Sequence, residues 1–484
     1  MSDQQNSLTV KINNLDYDIK INFDDGNKMK AEIGYTVINR ISIYTNLFDP
    51  FFSAELEYID TEHALEKGAN NKDPNINVIS KYRYRGDGYD TVIISITPHN
   101  NIKNADVIGF ACVFSVVNAY NKLNKDNTIS KILVLEDYTK HILQDKQANF
   151  TTSAVGTKYN AQCSNSQRSM TTGTALSALL TNTFGKSVID NKRWDIGGSN
   201  VFYSSSINEK ALTTLNKLYN LHISSTDDVN DKCFLSHSIH SDNSWSFISL
   251  KDMFQNAVNG GQAGAAYIET IRLENTNDST SSNGDKYTPD GALFNTQSGY
   301  ARSYDFRDLQ QLDALSLNSH IVYNYNVTDK HFIVDMNDGN VDKFKEFYFS
   351  NFISKMSGKN VKPYPNVPLT QTKQQNVITT NIFNLYDTDN LYLSRNKLLT
   401  ISTLLNNSIE LNLLGSTIRE PGYFIGVTTQ TPGGENDYNS KIYGTYLIVS
   451  ATHVFANNTY TNKLICSKPY LYNKPGDIEG EIHG

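Results

Sequence analysis

Residues 443–466 read YGTYLIVSATHVFANNTYTNKLIC, and this stretch decides the fold class. From Tyr446 to Phe455 the run is dense in β-branched and aromatic residues, which suit a pleated, half-buried surface. Asn457-Asn458 supplies turn chemistry. Tyr460 to Cys466 then alternates as a returning strand. The stretch predicts a β-hairpin whose register is fixed by one buried face. His453, inside the first strand, reads as a packed or hydrogen-bonded structural histidine rather than a catalytic one.

Working outward, Ile409, Leu411 and Leu413 alternate with polar residues. Glu420-Pro421-Gly422 is a turn leading into Tyr423 to Val427, and a polar loop, Gln430 to Ser440, follows. Before them a helix begins near Asp387, with Leu391, Leu398, Ile401 and Leu405 on its apolar side. At the far end of the chain, strands are expected over Tyr17 to Phe23, Val37 to Tyr44, Ala54 to Tyr58, Gly88 to Thr97, Val107 to Val117 and Ile132 to Leu135. The Phe48 to Phe52 segment reads as a break, and Asp24-Asp25-Gly26-Asn27 as a hairpin turn. Such a set of short strands suggests a barrel or sandwich. The middle is mixed. Ala175, Leu176, Leu179, Leu180 and Phe184 keep helical spacing with Gly185 as the stop, and Ser206 to Glu209 is a capping box ahead of Leu212, Leu215, Leu218 and Tyr219. Phe234-Leu235 and Trp245 to Leu250 are strands, as is Tyr267 to Leu273 within an otherwise loop-like 258–300 region. Val322, Phe332 and Val334 belong to another β stretch, and Pro363, Pro365 and Pro368 mark an extended segment. The fold class is therefore mainly β with an α+β middle.

Across 484 residues, 39% are hydrophobic and 19% charged, too apolar for a disordered chain. The 29 Tyr suit strands and contact surfaces. Net charge is −7 with no basic patch, which argues against specific nucleic-acid binding. Cys112, Cys163, Cys233 and Cys466 are far apart with no CxxC pair, so free, buried thiols in a reducing cytoplasm are expected rather than zinc or disulfides. The polar start lacks a signal-peptide profile, and no apolar run approaches the ~20 residues of a membrane span.

Candidate chemistry mostly dissolves under spacing tests. Gly185-Lys186-Ser187 lacks the upstream glycine of a phosphate loop, because Leu180 stands there, and it follows a helix instead of preceding one. His237, His240 and Asp242 have ligand types, but strand geometry points the two histidines to opposite faces, so two surface histidines are expected. Asp335 to Asn340 resembles a calcium loop, with Glu346 at the twelfth position, yet its glycine is displaced by one; a plain turn is expected. Arg85-Gly86-Asp87 reads as a turn before a strand. Phe114 reads as core, and Tyr82-Arg83-Tyr84-Arg85 as core or subunit interface. No GxSxG or HExxH occurs, and the sequence assigns no catalytic, cofactor-binding or metal residue.

The order of these parts resembles the central baseplate hub family of contractile-tailed phages, a family shared with the hub part of type VI secretion spikes. The resemblance rests on Gly444 to Val449 running to His453-Val454-Phe455, then Tyr460-Thr461-Asn462-Lys463-Leu464. Pro421-Gly422-Tyr423-Phe424-Ile425, the helix and β stretch from Asn390 to Leu413, and the strands Ile41 to Tyr58 and Tyr89 to Thr97 fall in the family's order. It implies two tube-like antiparallel β-barrel domains: residues 1–135 as the first, 136–257 as an α+β domain, 258–385 as a loop-rich mixed domain with insertions, and 386–484 as a helix plus the second barrel and a tail. It implies a structural, non-enzymatic virion protein of the tail baseplate, assembled in the host bacterial cytoplasm. Three copies would join a sixfold tail tube to a threefold cell-puncturing spike and line the channel for DNA ejection. Implied partners are itself as a homotrimer, the tail tube or tube-initiator protein, a separate central spike protein, baseplate wedge proteins and the tape measure protein. No cofactor is implied. Two other classes stay open on the residues: a receptor- or carbohydrate-binding tail protein, and a glycoside hydrolase with carboxylates distant in sequence.

Overall fold

The computed structural model describes residues 8–12, 15–24, 30–32, 38–59, 91–98, 109–125, 129–152, 170–185, 188–197, 200–201, 203–225, 231–240, 243–253, 267–273, 298–301, 303–308, 319–326, 331–335, 375–379, 407–429, 444–456 and 459–467. The first strand set comprises β1 (Leu8–Ile12), β2 (Leu15–Asp24), β3 (Lys30–Glu32), β4 (Ile38–Asn46), β5 (Asp49–Tyr58), β6 (Thr91–Pro98), β7 (Phe110–Leu123) and β8 (Ile129–Asp137). An α/β unit follows: α1 (Tyr138–Asp145), β9 (Met170–Thr171), α2 (Thr172–Phe184), β10 (Ile189–Trp194), β11 (Asn200–Val201), α3 (Ala211–Leu221), β12 (Cys233–His237) and β13 (Trp245–Ser249). Next come β14 (Tyr267–Leu273), β15 (Ser298–Ala301), β16 (Ser303–Asp308), β17 (Ser319–Asn326), β18 (His331–Asp335) and β19 (Gln375–Thr379). The last set is β20 (Asn407–Leu414), β21 (Phe424–Thr429), β22 (Gly444–Ala456) and β23 (Thr459–Ser467). The fold is mainly β. Among the described residues no helix is long and apolar enough to cross a membrane.

Among the described residues fifteen strands share one sheet, ordered β1-β2-β6-β7-β8-β5-β4-β22-β21-β14-β15, with β3, β16, β20 and β23 attached off that path. The predicted hairpin is β22–β23, and β22 is the joint of the molecule. Gly444 to Leu447 pairs with β21, while Ser450 to Ala456 pairs with β4 along the same edge. A β-bulge between Ile448 and Ser450 marks the switch, and there the Leu47 amide donates to the Val449 carbonyl at 2.8 Å. A bulge bends a strand and raises its twist, which lets one strand serve two partners.

That joint feeds two cores. Phe455 and Tyr460 pack with Ile41, Leu56, Val92, Ile94, Phe114 and Leu135 of the first set. Tyr446, Ile448, Ala451, Leu464 and Cys466 pack with Ile409, Leu411, Leu413, Ile425 and Val427. Phe455 and Tyr460 stack at 4.1 Å, and the Tyr460 ring lies where a Cβ on Gly415 would sit, so that position admits no side chain.

Several expectations need adjustment. The break at Phe48 to Phe52 is only a Leu47–Phe48 turn, because β5 already starts at Asp49. Pro50 is tolerated because it lies where the β4–β5 register shifts and before the first β8 pair at Ser53. The capping box forms only in part. The Glu209 carboxylate accepts the Ser206 amide at 3.2 Å, but α3 starts at Ala211 with Lys210 as its cap. Glu209 is drawn away by Tyr203, Thr214 and Lys217. β14 pairs in parallel with both β21 and β15. The long stretch of chain between β14 and β21 supplies the crossover a parallel pair requires. The helix expected near Asp387 and the proline segment lie outside the described residues.

The α/β unit stands on its own core of Leu143, Leu176, Leu179, Leu180, Leu215, Leu218, Trp245 and Phe247. β13 is the middle of its three-stranded sheet, parallel to β10 and antiparallel to β12. Gly185 ends α2 at φ 74°, the left-handed stop read from the sequence.

Candidate assembly face and its buried supports

β7 and β8 pair from Phe114↔Asp137 out to Leu123↔Ile129. At the base the side chains are buried: Phe114 and Leu135 are core residues. Toward the tip they emerge, and Tyr120 is 45% exposed, Ile129 54% and Leu123 70%. A shallow groove on the flank is lined by Arg40, Glu55, Glu57, Tyr120, Lys122 and Ile132. Its charged groups are engaged within the chain: Lys122 Nζ lies 3.4 Å from Glu57, the Tyr44 hydroxyl donates to Glu55 at 3.3 Å, and Arg40 donates to the Ser42 hydroxyl at 2.8 Å. Burial, first of all, pushes the Tyr44 phenol above its ordinary value. Apolar tips beside an aromatic and compensated charges suit contact with protein.

Beneath this face the α/β unit is bolted to the sheet by buried polar pairs. One carboxylate oxygen of Asp137 caps α1, accepting the Thr139 amide at 2.8 Å. The other lies 2.6 Å from His237 Nδ1. His237 is sandwiched between Phe52 at 5.2 Å and Trp245 at 4.7 Å. His240 Nε2 lies 2.9 Å from Glu420. The Arg193 guanidinium donates to the Tyr423 hydroxyl at 2.8 Å while lying over its ring. The expectation of two surface histidines is therefore wrong. His237 is buried and His240 half-buried, because the unit folds back over β5 and the Glu420 turn. Asp242 lies outside the described residues.

His453 shows the packing and hydrogen bonding expected of it. It is fully buried, its Nδ1 lying 2.7 Å from the Tyr460 hydroxyl and 2.9 Å from the Asn462 amide. Asn462 in turn accepts the Ser416 amide and an Arg419 N–H. Burial, and then the nearby His240 and Arg419 charges, press the His453 pKa down to about 3. The imidazole is neutral and serves to fix β22 on β23.

In the α/β unit, burial raises Asp231 to about 7 despite the Lys251 amide and Ser249 hydroxyl it accepts, and burial lowers Lys232 to about 8. Asp195, His222 and Cys233 converge behind them, all buried. Sequence reasoning missed both this cluster and the Asp137–His237 pair, since neither has local spacing and only the fold brings them together. Of the motifs tested, Gly185 is the α2 stop and Asp335 ends β18. Lys186, Ser187, Asn340, Glu346, Arg85 and the Tyr82 to Arg85 run lie outside the described residues. Cys112, Cys233 and Cys466 are buried and in no disulfide, and Cys163 lies outside the described residues.

No protein-family model matches the chain, and no curated protein matches it. Solved structures do resemble it. A tail protein from Neisseria meningitidis MC58 aligns over 96% of this chain and 99% of its own, at 9% identity and TM-score 0.45. The 43 kDa tail protein of prophage MuSo2 from Shewanella oneidensis aligns over 95% and 99%, at 10% identity and TM-score 0.44. An E. coli component of the type VI secretion system, described as structurally similar to the T4 bacteriophage tail proteins gp27 and gp5, aligns over 93% and 78%, at 9% identity and TM-score 0.35.

Proposed function

We propose that the chain is a structural tail protein, the trimeric central hub of a contractile-tail baseplate. The observation that carries this reading is the role of β22. The segment with the hub-like residue order is the same segment that welds the first and last strand sets into one sheet. Such a chain cannot extend like beads on a string; its two ends are one stiff body, as a load-bearing ring element requires. The exposed β7–β8 tip supplies a surface for a neighbouring copy. In this reading the chain performs no reaction. It holds a tail tube protein on one side and a separate spike protein on the other, contacts wedge and tape measure proteins, and lines a channel for DNA. Three chains would bring −7 each to that channel, repelling phosphate.

Native mass spectrometry of the purified protein, alone and with its neighbouring tail proteins, tests this. A trimer, or trimer formation on adding the spike, is the expected result. A stable monomer that binds carbohydrate would favour the receptor-binding alternative, and cleavage of peptidoglycan would overturn the non-enzymatic reading.

A further inference from the structure

We propose that Asp195, His222 and Cys233 form a zinc site inside the α/β unit. The three residues come from separate elements. Asp195 follows β10, His222 caps the end of α3, and Cys233 opens β12. They are 7%, 3% and 4% exposed, and one ligand atom of each lies within 4.8 Å of the others.

The spacing of the Asp195–His222 pair also accommodates a shared ion. His222 Nε2 and Asp195 Oδ1 are 3.5 Å apart. That is beyond the roughly 2.7–3.2 Å of a good N–H···O bond. It matches the edge of a tetrahedron with zinc–ligand bonds of about 2.1 Å, which is roughly 3.4 Å. The orienting bonds are already made. His222 Nδ1 lies 2.7 Å from the Thr172 hydroxyl, the kind of outer bond that fixes a metal-binding imidazole. Asp195 Oδ1 accepts the Gly197 amide at 2.6 Å. The Ser225 amide is shared, at 3.0 Å to Oδ1 and 3.2 Å to Oδ2, and the Ser225 hydroxyl reaches Oδ2 at 3.2 Å. Ser225 can therefore move wholly to Oδ2, leaving Oδ1 with the Gly197 amide and one lone pair for a metal. Phe247 meets the His222 ring edge-on at 4.4 Å and keeps that side dry.

Nitrogen, oxygen and thiolate together select a borderline-soft divalent ion. Binding releases the Cys233 thiol proton and leaves the thiolate on the metal. The ion would tie the β10 turn, the end of α3 and the start of β12 into one body, a structural role independent of any assembly partner.

Cobalt(II) titration of the metal-stripped full chain is the test, with zinc then added to displace it. One equivalent should bind, give a thiolate-to-cobalt charge-transfer band and raise the melting temperature. Cys233→Ser should abolish the band and Cys163→Ser should leave it. Thr172→Val, which keeps all three ligands, should weaken affinity about 10–100-fold. Wild-type protein that takes up no cobalt or zinc, or a band that survives Cys233→Ser, would overturn the proposal.

Discussion

The long sheet and the α/β unit are stabilised by different physics. The first core of the sheet is built from apolar side chains, from Ile19 and Ile41 through Leu56 and Val92 to Phe455 and Tyr460, with Ser42 and Ser115 the buried polar residues of β4 and β7. Its neighbour is apolar as well, with one buried polar network, around His453, between them. The α/β unit instead encloses ionisable groups: Asp195, His222, Asp231 and Lys232, with Asp137 and His237 where it meets β5 and β8. Apolar burial has no titrating group and is tolerant of pH. Buried polar groups are costly once a partner is lost. The sheet should therefore persist under insults that loosen the unit docked on it.

The largest expected effect breaks the docking. Trp245→Ala removes the indole that stacks on His237 and meets Phe51 edge-on at 5.7 Å. It should cost about 3–5 kcal/mol, and hydrogen exchange should rise in β12, β13 and α3 before it rises in β4 to β8. Uniform exchange through both regions would show that they are one cooperative unit. Asp137→Asn keeps the shape but weakens both the α1 cap and the His237 contact, and about 1.5–3 kcal/mol should be lost in chemical denaturation.

His453 and Asp231 respond to pH with opposite sign. His453, at about 3 in the fold, binds fewer protons than in the unfolded chain, where its value is roughly 6.5. Its contribution is complete above that unfolded value and is lost as pH falls toward 3. Asp231, at about 7, holds a proton that the unfolded chain releases near 4, so its contribution is complete below pH ~4 and is lost as pH rises to 7. Acidification from pH 7 to 4 should thus weaken the His453 contribution at the β22–β23 joint and strengthen that of Asp231 in the α/β unit. Calorimetry of Asp231→Asn and His453→Gln against wild type checks this. Each variant should flatten one of the two opposing slopes, and slopes of the same sign would refute the contrast.

How much of this was legible follows from what alternation encodes. A period of two names the buried face of a strand, so Ile19 and Ile21 and Ile409 to Leu413 were readable, as was the helix stop at Gly185. Alternation does not name the partner strand. Nothing local in His453 or Ile43 says that they face each other, although that register is what joins the ends of the chain. The same holds for the parallel β14–β21 pair and for Asp195, His222 and Cys233. His237 was misread because its exposure depends on a docking contact rather than on its own strand.

Smaller effects sharpen the comparison. Gly185→Ala places a Cβ at φ 74° and should cost about 1–2 kcal/mol, confined to the α/β unit. Leu123→Asp, at the exposed hairpin tip, should leave stability within about 0.5 kcal/mol of wild type yet abolish trimer formation. A stable trimer in that variant would move the interface elsewhere.

The most direct test of the hub assignment is the number of copies of this chain in purified tails, counted by quantitative mass spectrometry against the tube protein. Three per tail is the predicted result. Six per tail, or absence from the particle, would contradict it.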